Sequence, residues 1–305
     1  DLTLIGSLPE HKVMLELNDP PSANELLTAL LLPKNNTSSG PYAPNYGLLK
    51  AAAKDKSIMT LIKRIIDAYW NGEIKMYDEW NSVALAILPK VANPQHPKDC
   101  RYIAILDPLA KALTSTMANK IQKWALENIP ELQNGFKWHR GTGDSYWNLT
   151  QIIRARKRKG LDTWVAFIDL KTAFDKVSRV AIFEIMRKFG FPKKFISALQ
   201  RLHTTAKFAF KMGTAKFTVD NKSGVRQGDT AGPTLFLIAM MAVVRLSSKN
   251  MKKLEFTPQA SWVMLNNVTQ CWNSMYADDT AILADSRENL SHNTQLPVSY
   301  THLRA

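Results

Sequence analysis

The sequence has few of the residues that characterise zinc-binding and disulfide-rich proteins. Of its 305 residues only Cys100 and Cys271 are cysteines, and the six histidines are scattered without the spacing of metal ligands. Structural zinc sites need closely spaced Cys and His ligands, and small secreted domains need several cysteines for disulfides. The sequence therefore excludes both classes, and we expect an intracellular protein.

Long apolar runs are also missing. The longest, at 235–244, is ten residues, whereas a helix that crosses a bilayer needs roughly 20. No basic stretch followed by an apolar stretch opens the chain, so no signal peptide is indicated. We therefore expect no membrane partner.

Acidic residues are outnumbered by basic ones. Lys and Arg number 40 against 26 Asp and Glu, which gives a formal net charge of +14. A field of this sign favours a polyanionic partner, either nucleic acid or an anionic membrane surface. The apolar fraction of 45% is typical of a globular chain with one large or two modest cores. Nucleic acid is the partner that these features favour.

The first half of the chain is predicted to be irregular at first and then mostly helical. Six prolines interrupt residues 1–56, so we expect an extension there with one short helix at 22–32. Beyond it, the apolar spacing predicts helices at 57–70 and 106–124, a strand at 80–88, and a helix that is capped by Asp144 and closed by Gly160.

That last helix ends in a basic run, Arg154-Ala-Arg-Lys-Arg-Lys159. A cluster of this kind is typical of nucleic-acid binding or nuclear import. Cations in the last turn of a helix before a closing glycine also stabilise the helix end, which explains the run locally. The two interpretations are compatible, and the sequence leaves both open.

The second half is predicted to alternate strands with helices. The expected elements are a buried-type strand at 163–170 ending in Asp169, a helix at 178–189 stopped by Gly190, a hairpin at 207–219 turning at Gly213, and a glycine-rich loop at 223–232 entering a helix with Pro233 in its first turn. This alternation indicates an α+β fold with an antiparallel sheet.

Asp278 and Asp279 lie between strand-like residues at 273–284, so this segment is predicted to be a tight hairpin with carboxylates at its tip. A solvated turn is the simplest alternative, because Asp is common in turns. If the strand ending in Asp169 lies beside this hairpin, Asp169 and Asp278 converge. Two such carboxylates can bridge a pair of Mg²⁺ ions about 3.5–4 Å apart, as in enzymes of phosphoryl transfer. Oxygen ligands without nearby His or Cys favour Mg²⁺ over zinc.

Three segments, in this order, resemble motifs A, B and C of reverse transcriptases. They are Phe167-Ile-Asp-Leu-Lys-Thr-Ala-Phe-Asp175, Gly224-Val-Arg-Gln-Gly-Asp229 through Pro233, and Tyr276-Ala-Asp-Asp279. Their residue sequences are most similar to those of non-LTR (LINE-type) retrotransposons. Upstream segments at 86–90, 99–106 and 133–136 resemble the fingers motifs, so the resemblance covers about residues 75–285. It implies a right-hand polymerase of α+β class, with fingers and an antiparallel palm sheet flanked by helices, and without a thumb.

The resemblance assigns the carboxylates to a metal site. Asp169 and Asp278 would be catalytic metal ligands, and the carbonyl of Leu170 would complete one site. The cofactor would be two Mg²⁺ ions, for which Mn²⁺ can substitute. Asp279 would be catalytic beside the metals, near the primer terminus.

The resemblance also assigns substrate-binding roles. Lys90 and Arg101 would reach the triphosphate, although a Lys after Pro and an Arg in a basic protein are often only solvated. Gln227 and Gly228 would contact the incoming nucleotide and the template, Gly228 because a side chain there would block close backbone approach. Phe174 would be a steric gate against the ribose 2′-hydroxyl, and its alternative is core packing.

The implied activity is RNA-directed DNA polymerase, with an RNA template, a DNA primer and dNTP as partners and the nucleus as the place of action. A group II intron-type maturase and an RNA-dependent RNA polymerase are alternative enzymes with the same palm. A decayed element that binds nucleic acid without catalysis is an alternative of another class. The Phe174 ring argues against the RNA polymerase, and the intact carboxylates argue against the decayed element.

Some positions depart from the family pattern. The fingers motif at 99–103 keeps Arg101 but lacks the usual proline, and Gly232 replaces the serine of motif B. No segment after Asp285 resembles the lysine-bearing motif D, the primer grip or the thumb. We therefore expect a fragment of a longer reading frame, with an N-terminal extension at 1–56, fingers and the approach to the palm at 57–160, palm at 161–290 and a non-native tail at 291–305.

Overall fold

The computed structural model describes residues 2–40, 43–74, 80, 82–204, 206–212, 215–256 and 270–300. Within them, helices and β-sheets are both present, so the α+β class is confirmed. The helices are α1 (Leu2–Gly6), α2 (Ala23–Leu31), α3 (Tyr46–Ala53), α4 (Lys56–Asn71), α5 (Pro108–Asn128), α6 (Thr142–Lys157), α7 (Ala173–Lys176), α8 (Arg179–Lys188), α9 (Lys193–Thr204), α10 (Ala231–Ser248) and α11 (Arg287–Tyr300). The strands are β1 (Ser82–Pro89), β2 (Cys100–Ile105), β3 (Trp164–Ile168), β4 (Lys207–Met212), β5 (Ala215–Asp220), β6 (Leu254–Glu255), β7 (Gln270–Cys271), β8 (Asn273–Tyr276) and β9 (Asp279–Ala284).

The chain divides into two compact units, each assembled from separate stretches of sequence. Unit 1 comprises Asp1–Pro9, Gln122–Ile185 and Thr234–Ala305, and unit 2 comprises Glu10–Ile121 and Met186–Pro233. The linear division at residues 56, 160 and 290 stays a prediction.

Unit 1 is built on an antiparallel sheet of order β3-β9-β8. Helix α6 packs on β8, and α11 packs on β9 and β3. The predicted pairing of the Asp169 strand with the hairpin is confirmed, since β3 and β9 are neighbours from Trp164 opposite Ala284 to Ile168 opposite Thr280. Apolar side chains from four parts of the unit form a core beneath the sheet: Leu132, Ile152, Ala155, Leu254, Phe256, Cys271 and Leu283.

Strand β3 is more exposed than its apolar sequence suggested. The Phe167 side chain is 78% exposed and Trp164 is 43% exposed. Among the described residues β3 is an edge strand, paired with β9 alone. The prediction of a buried-type strand is therefore wrong, because an apolar run by itself does not show how many faces a sheet covers.

Unit 2 is built on a second sheet, of order β2-β1-β4-β5. The β1–β2 and β4–β5 pairs are antiparallel, but β1 and β4 run parallel, so this sheet is mixed and not purely antiparallel as expected. Val83, Ala104, Leu106 and Ala206 form a small core on it. The predicted hairpin at 207–219 is confirmed as β4 and β5, and the Gly213 turn lies outside the described residues.

The N-terminal region contains more helix than predicted. The helix expected at 22–32 is confirmed as α2, where the Ser22 hydroxyl accepts from the Glu25 N–H and the Glu25 carboxylate accepts from the Ser22 N–H. Helices α1 and α3 were not predicted, and the irregular extension is to that extent wrong. Asn45 caps α3 by accepting the Leu48 N–H at 2.8 Å, a signal present in the sequence.

The helix before the basic run begins earlier than predicted. Asp144 is the third residue of α6. Its carboxylate accepts the N–H of Gly141, the residue before the helix, at 2.6 Å, so it caps the helix from a position within the first turn. The closing glycine is as expected, since Gly160 has φ +67°. Helix α9 was not predicted, and the other predicted helices are present as α4, α5, α8 and α10.

The residues of the basic run differ in whether they are buried or exposed. Arg156 is buried, and its guanidinium donates to the carbonyls of Asp162 and Glu255 and to the Thr163 hydroxyl. Arg154 and Lys157 are exposed. Arg156 thus has a structural role other than the expected one at the helix end, because its guanidinium binds groups outside α6. The exposed cations are the ones open to a polyanion.

Helix α10 is the one helix of the described residues that is long and apolar enough to cross a membrane by length and composition. Its apolar stretch is 83% buried within the protein. Core helices of globular proteins pass the same test, so the helix is weak evidence for a membrane span.

Candidate active site

The two carboxylates of the hairpin lie at its tip in unit 1. Strand β8 ends at Tyr276, β9 begins at Asp279, and these two residues pair across the turn. Ala277 has φ +58°, a left-handed conformation that is uncommon for a residue with a Cβ. Asp278 is half-buried and Asp279 is exposed. The turn thus presents one carboxylate in a partly desolvated position and the next one in water.

Asp169 is brought to the same tip by the register of β3. Ile168 lies opposite Thr280, and Asp169 is the next residue, directly after the strand ends. The following residue in β9 towards the tip is Asp279. Because β3 and β9 are antiparallel neighbours, the end of β3 and the hairpin tip are on the same edge of the sheet.

The pKa of the Asp278 carboxyl is raised above its ordinary value. Burial is the main cause, and the negative charges of Asp279 and Asp169 add to it, while a hydrogen bond from its own backbone N–H opposes it. The three carboxylates are therefore electrostatically coupled. Among the described residues, however, no group of three or more His, Cys, Asp or Glu side chains has the spacing of a metal site.

Phe174 lies four residues beyond Leu170, on the short helix α7. Its ring stacks on that of Phe236, with centroids 4.6 Å apart and planes 17° from parallel, and it meets the ring of Phe136 edge-on at 5.5 Å. Phe236 is buried, whereas Phe174 is half-buried. Two aromatic neighbours therefore fix a ring that still has solvent-accessible surface.

The segment 133–136, which resembles a fingers motif, lies along β8 in unit 1. The Asn134 N–H donates to the Met275 carbonyl at 3.0 Å, and the Met275 N–H donates to the Leu132 carbonyl at 2.8 Å. Gln133 is buried against the hairpin turn. Its contact with the turn was missed by sequence reasoning, because a motif does not show where in the fold its residues pack.

In unit 2, Lys90 and Arg101 lie at the same end of the β1–β2 hairpin. Arg101 is opposite Leu88, and the Lys90 backbone N–H donates to the Asp99 carbonyl at 2.7 Å. The Lys90 Nζ donates to the Lys98 carbonyl at 3.1 Å, and both cations are exposed. Two accessible positive charges therefore stand at one end of this hairpin.

Gln227 and Gly228 are packed on β2. The Ala104 N–H donates to the Gln227 carbonyl at 2.6 Å, and Gly228 has φ +102°. A Cβ on Gly228 would lie 2.5 Å from the Ala104 carbonyl oxygen. The close backbone approach that demands glycine is thus an approach to β2 inside unit 2.

A buried ionic cluster lies beside this loop, and sequence reasoning missed its histidine. The Arg226 guanidinium donates to the Asp229 carboxylate at 2.6 Å, His203 Nε2 is 3.3 Å from the same oxygen, and Asp229 accepts the Ala231 N–H that opens α10. Burial opposes ionisation of Asp229, but Arg226 and His203 together bring its pKa well below the ordinary range. The cluster therefore holds a charged carboxylate at the start of α10.

A family model described as "Reverse transcriptase (RNA-dependent DNA polymerase)" matches residues 88–304, more than half of the chain. The chain belongs to the reverse transcriptase family. The match starts at the end of β1 and runs beyond Asp285, where the motif resemblance ended. It includes the carboxylates at the hairpin tip, Phe174 and the Gln227-Gly228 loop.

Retrotransposon proteins are among the relatives of this reverse transcriptase. A Pol polyprotein from the type-2 retrotransposable element R2DM of Drosophila melanogaster is 25% identical over 258 residues, which cover 80% of the chain and 22% of the relative. A Pol polyprotein from a type-1 element R2 of Nasonia vitripennis is 24% identical, over 67% of the chain and 19% of the relative. A probable RNA-directed DNA polymerase from transposon BS of Drosophila melanogaster is 26% identical, over 52% and 18%. The chain spans about a fifth of the length of these proteins.

Reverse transcriptases in general need a divalent metal, and they act on a template, a primer and dNTP. In this chain, unit 1 contains the proposed metal ligands Asp169, Leu170 and Asp278, together with Asp279 and Phe174. Unit 2 contains the other residues assigned to substrate, besides Phe174, which are Lys90, Arg101, Gln227 and Gly228.

Proposed function

We propose that this chain is the polymerase domain of a non-LTR retrotransposon reverse transcriptase, which copies RNA into DNA by extending a primer with dNTP. One observation carries the proposal: within the stretch that matches the family, the register of β3 with β9 brings Asp169 to the tip that presents Asp278 and Asp279. The relatives named above support the retrotransposon origin.

In the proposed reaction the primer 3′-oxygen attacks the α-phosphorus of the dNTP. The hydroxyl proton passes to solvent, a new P–O bond forms, the bond from the α-phosphorus to the oxygen bridging to the β-phosphate breaks, and pyrophosphate leaves. Two bound Mg²⁺ ions would lower the pKa of the attacking hydroxyl and neutralise charge on the phosphates. Mn²⁺ would substitute for them.

The donor set at the tip fits such ions. Asp169, Asp278 and the Leu170 carbonyl offer oxygen atoms, the ligand type that Mg²⁺ prefers, and the coupled negative charges of the carboxylates favour a cation. The choice of two carboxylates and one carbonyl as ligands comes from the family resemblance. Asp279, which is exposed, would lie near the primer terminus.

The remaining assignments concern the substrate. The exposed cations Lys90 and Arg101 would bind the triphosphate, where Arg can donate bidentate hydrogen bonds and Lys supplies a point charge. The Gln227-Gly228 loop would face the nucleotide and the template. Phe174 would exclude a ribose 2′-hydroxyl and so select deoxynucleotides.

In this proposal the antiparallel sheet of unit 1 is the polymerase palm, and the β1–β2 hairpin of unit 2 belongs to the fingers. The RNA template and DNA primer are the partners, and the exposed part of the positive surface attracts them. The place of action is the nucleus, where a retrotransposon meets its target DNA.

Primer extension tests the proposal, with the reading frame that encodes this chain and its flanking sequence. We expect Mg²⁺-dependent incorporation of dNTP on an RNA template, and its loss in Asp278→Asn. Asp285→Asn is the matched control, because Asp285 is an exposed carboxylate at the far end of β9. Full activity in Asp278→Asn would exclude this assignment. Salt-dependent RNA binding without any extension would instead support the binding-only remnant.

A further inference from the structure

The turn that carries Asp278 depends on a side chain from a distant part of the sequence. Gln133 lies 144 residues before Ala277 and is only 4% exposed. Its amide nitrogen donates to the Ala277 carbonyl at 3.2 Å, and its amide oxygen accepts the Ala277 N–H at 3.2 Å. One side chain thus binds both polar groups of one residue's backbone.

The orientation of this amide is fixed by its neighbours. The Gly135 N–H also donates to the Gln133 oxygen, at 2.9 Å, so two backbone donors face the same atom. The opposite orientation would place the NH₂ group against both donors. We call this pair of hydrogen bonds from one side-chain amide to the N–H and carbonyl of one residue an amide clamp. In the clamp on Ala277, each donor and acceptor is thus defined.

Ala277 needs such a partner. It is buried, it has φ +58°, and the polar groups of its backbone lie at a hairpin tip beyond the last strand pair, Tyr276 with Asp279. A strained conformation persists only when its surroundings over-determine it. Gln133 satisfies the backbone groups that the sheet does not, and it thereby holds the residue directly before Asp278.

The loop itself is seated closely on the turn. A Cβ on Gly135 would overlap the backbone nitrogen of Ala277, so glycine is required there. The Ser145 hydroxyl donates to the Met275 carbonyl at 3.1 Å and accepts from the Asn134 amide at 3.0 Å, which ties the loop and β8 to α6. The loop and the turn therefore form one connected hydrogen-bonded structure.

We propose that Gln133 is a positioning residue: it fixes the Ala277 turn so that Asp278 and Asp279 face the metal site. This inference rests on the proposed function, since it assumes that the carboxylates bind metal. Outer-shell groups of this kind commonly change metal affinity about 10- to 100-fold when they are removed. We therefore expect a metal-binding defect in a variant whose ligands are all intact.

The test compares two amide clamps in unit 1. Asn293 is fully buried and binds the backbone of Lys252 in the same way, accepting its N–H at 3.0 Å and donating to its carbonyl at 2.9 Å. Gln133→Met and Asn293→Leu each remove a clamp and keep the size of the side chain. They differ in whether the clamped residue precedes the carboxylates, because the second carbonyl that the Asn293 amide reaches, that of Leu283 at 3.4 Å, lies at the end of β9 away from the tip.

The measurement is Mn²⁺ binding by electron paramagnetic resonance, on the 305-residue chain and its variants. We expect Gln133→Met to weaken Mn²⁺ binding about tenfold or more, and Asn293→Leu to leave it within about twofold of the original chain. Amide exchange should become faster at residues 277–280 in the first variant alone. Gln133→Glu, which keeps the acceptor for both N–H groups but loses the donor, should be intermediate, and it serves if the Met variant does not fold.

Asp278→Asn separates failure of this inference from failure of the proposed function. If Asp278→Asn binds Mn²⁺ as the original chain does, or if the original chain binds none, the proposed metal site is wrong and this inference with it. If Asp278→Asn loses binding while Gln133→Met retains it fully, the metal site stands and the positioning role is wrong.

Discussion

Phe174 is stacked face to face on Phe236, with the ring centroids 4.6 Å apart. This contact supports the proposed role of Phe174 in nucleotide selection, because a steric gate discriminates only if it cannot move aside. Phe136 supports the same ring edge-on, so Phe174 is held on two sides. An aromatic ring in such surroundings loses little further freedom when a sugar approaches.

The first prediction concerns sugar discrimination. Phe174→Val should raise the incorporation of ribonucleotides relative to deoxynucleotides by about 10- to 100-fold, because the bulk beside the 2′-carbon is removed. Phe236→Leu should give a smaller change in the same direction, since it loosens the gate without removing it. The measurement is the ratio of kcat/KM for NTP and dNTP.

Phe183→Leu is the control for these variants, because Phe183 is also a buried phenylalanine of unit 1. It should lower stability and leave the discrimination ratio unchanged. Equal ratios in Phe174→Val and the original chain would show that this ring is core packing alone.

The second prediction concerns Gly228. Gly228→Ala should destabilise the protein by about 2–4 kcal/mol, because alanine is strained at φ +102° and its Cβ would meet the Ala104 carbonyl oxygen. Gly143→Ala is the control. Gly143 lies on α6 with no atom within 4 Å of an added Cβ, and its replacement should stabilise by about 0.4–1 kcal/mol. Urea denaturation measures both, and an unchanged midpoint for Gly228→Ala would contradict the argument.

At several places where the signal was local, the sequence was a reliable guide, although the Asn45 cap of α3 shows that local signals were also missed. The helix expected at 22–32 is present as α2, which the structure shows to begin with a capping box of Ser22 and Glu25, and the strand-like residues on both sides of the Asp278 turn predict the β8–β9 hairpin. The position of Asp169 directly after β3 follows from the end of an apolar run. In each case neighbouring residues specify the element, so no knowledge of the tertiary fold is needed.

The features that sequence reasoning missed depend on residues far apart in the chain. Gly228 needs to be glycine because of Ala104, and Ala277 is held by Gln133. His203 joins the ionic cluster from a helix that was not predicted at all. No local periodicity records such contacts, which form only when the elements pack together.

The third prediction concerns pH. Burial lowers the pKa of His203 below its ordinary value of 6.5, and the charge of Arg226 lowers it further, while hydrogen bonds to Asp229 and Leu199 oppose the shift. The unfolded chain therefore binds a proton near pH 6.5 that the folded chain does not bind. Stability must then fall as the pH drops below about 6.5. The free energy of unfolding, measured in urea between pH 7.5 and pH 5, should decrease accordingly.

Asp229 also makes the folded state less stable as the pH falls, but at lower pH than His203. Its pKa is lowered in the folded state, so its contribution is complete above its ordinary value of 3.8 and is lost as the pH falls below that value. His203→Gln should flatten the dependence between pH 7.5 and pH 5. His292→Gln, a change at an exposed histidine, should keep the original slope. If His203→Gln also kept it, the buried histidine would not be its origin.

The last prediction separates the two roles of the basic run. Arg154→Ala with Lys157→Ala removes two exposed cations, and the slope of log affinity for single-stranded RNA against log salt should become shallower by about 1.4. The melting temperature should hardly change, because surface substitutions of this kind seldom alter stability by more than about 0.5 kcal/mol.

Arg156→Lys should lower stability and leave the salt dependence of RNA binding unchanged. The buried guanidinium donates to two carbonyls and a hydroxyl, a geometry that an ammonium group cannot reproduce, so we expect a loss of about 2–4 kcal/mol in stability. The salt slope should stay within about 0.3 of its original value, because Arg156 does not reach the surface. Filter binding over a range of salt and thermal unfolding measure the two effects. A changed salt slope in Arg156→Lys without loss of stability would place this arginine at the RNA, against its burial.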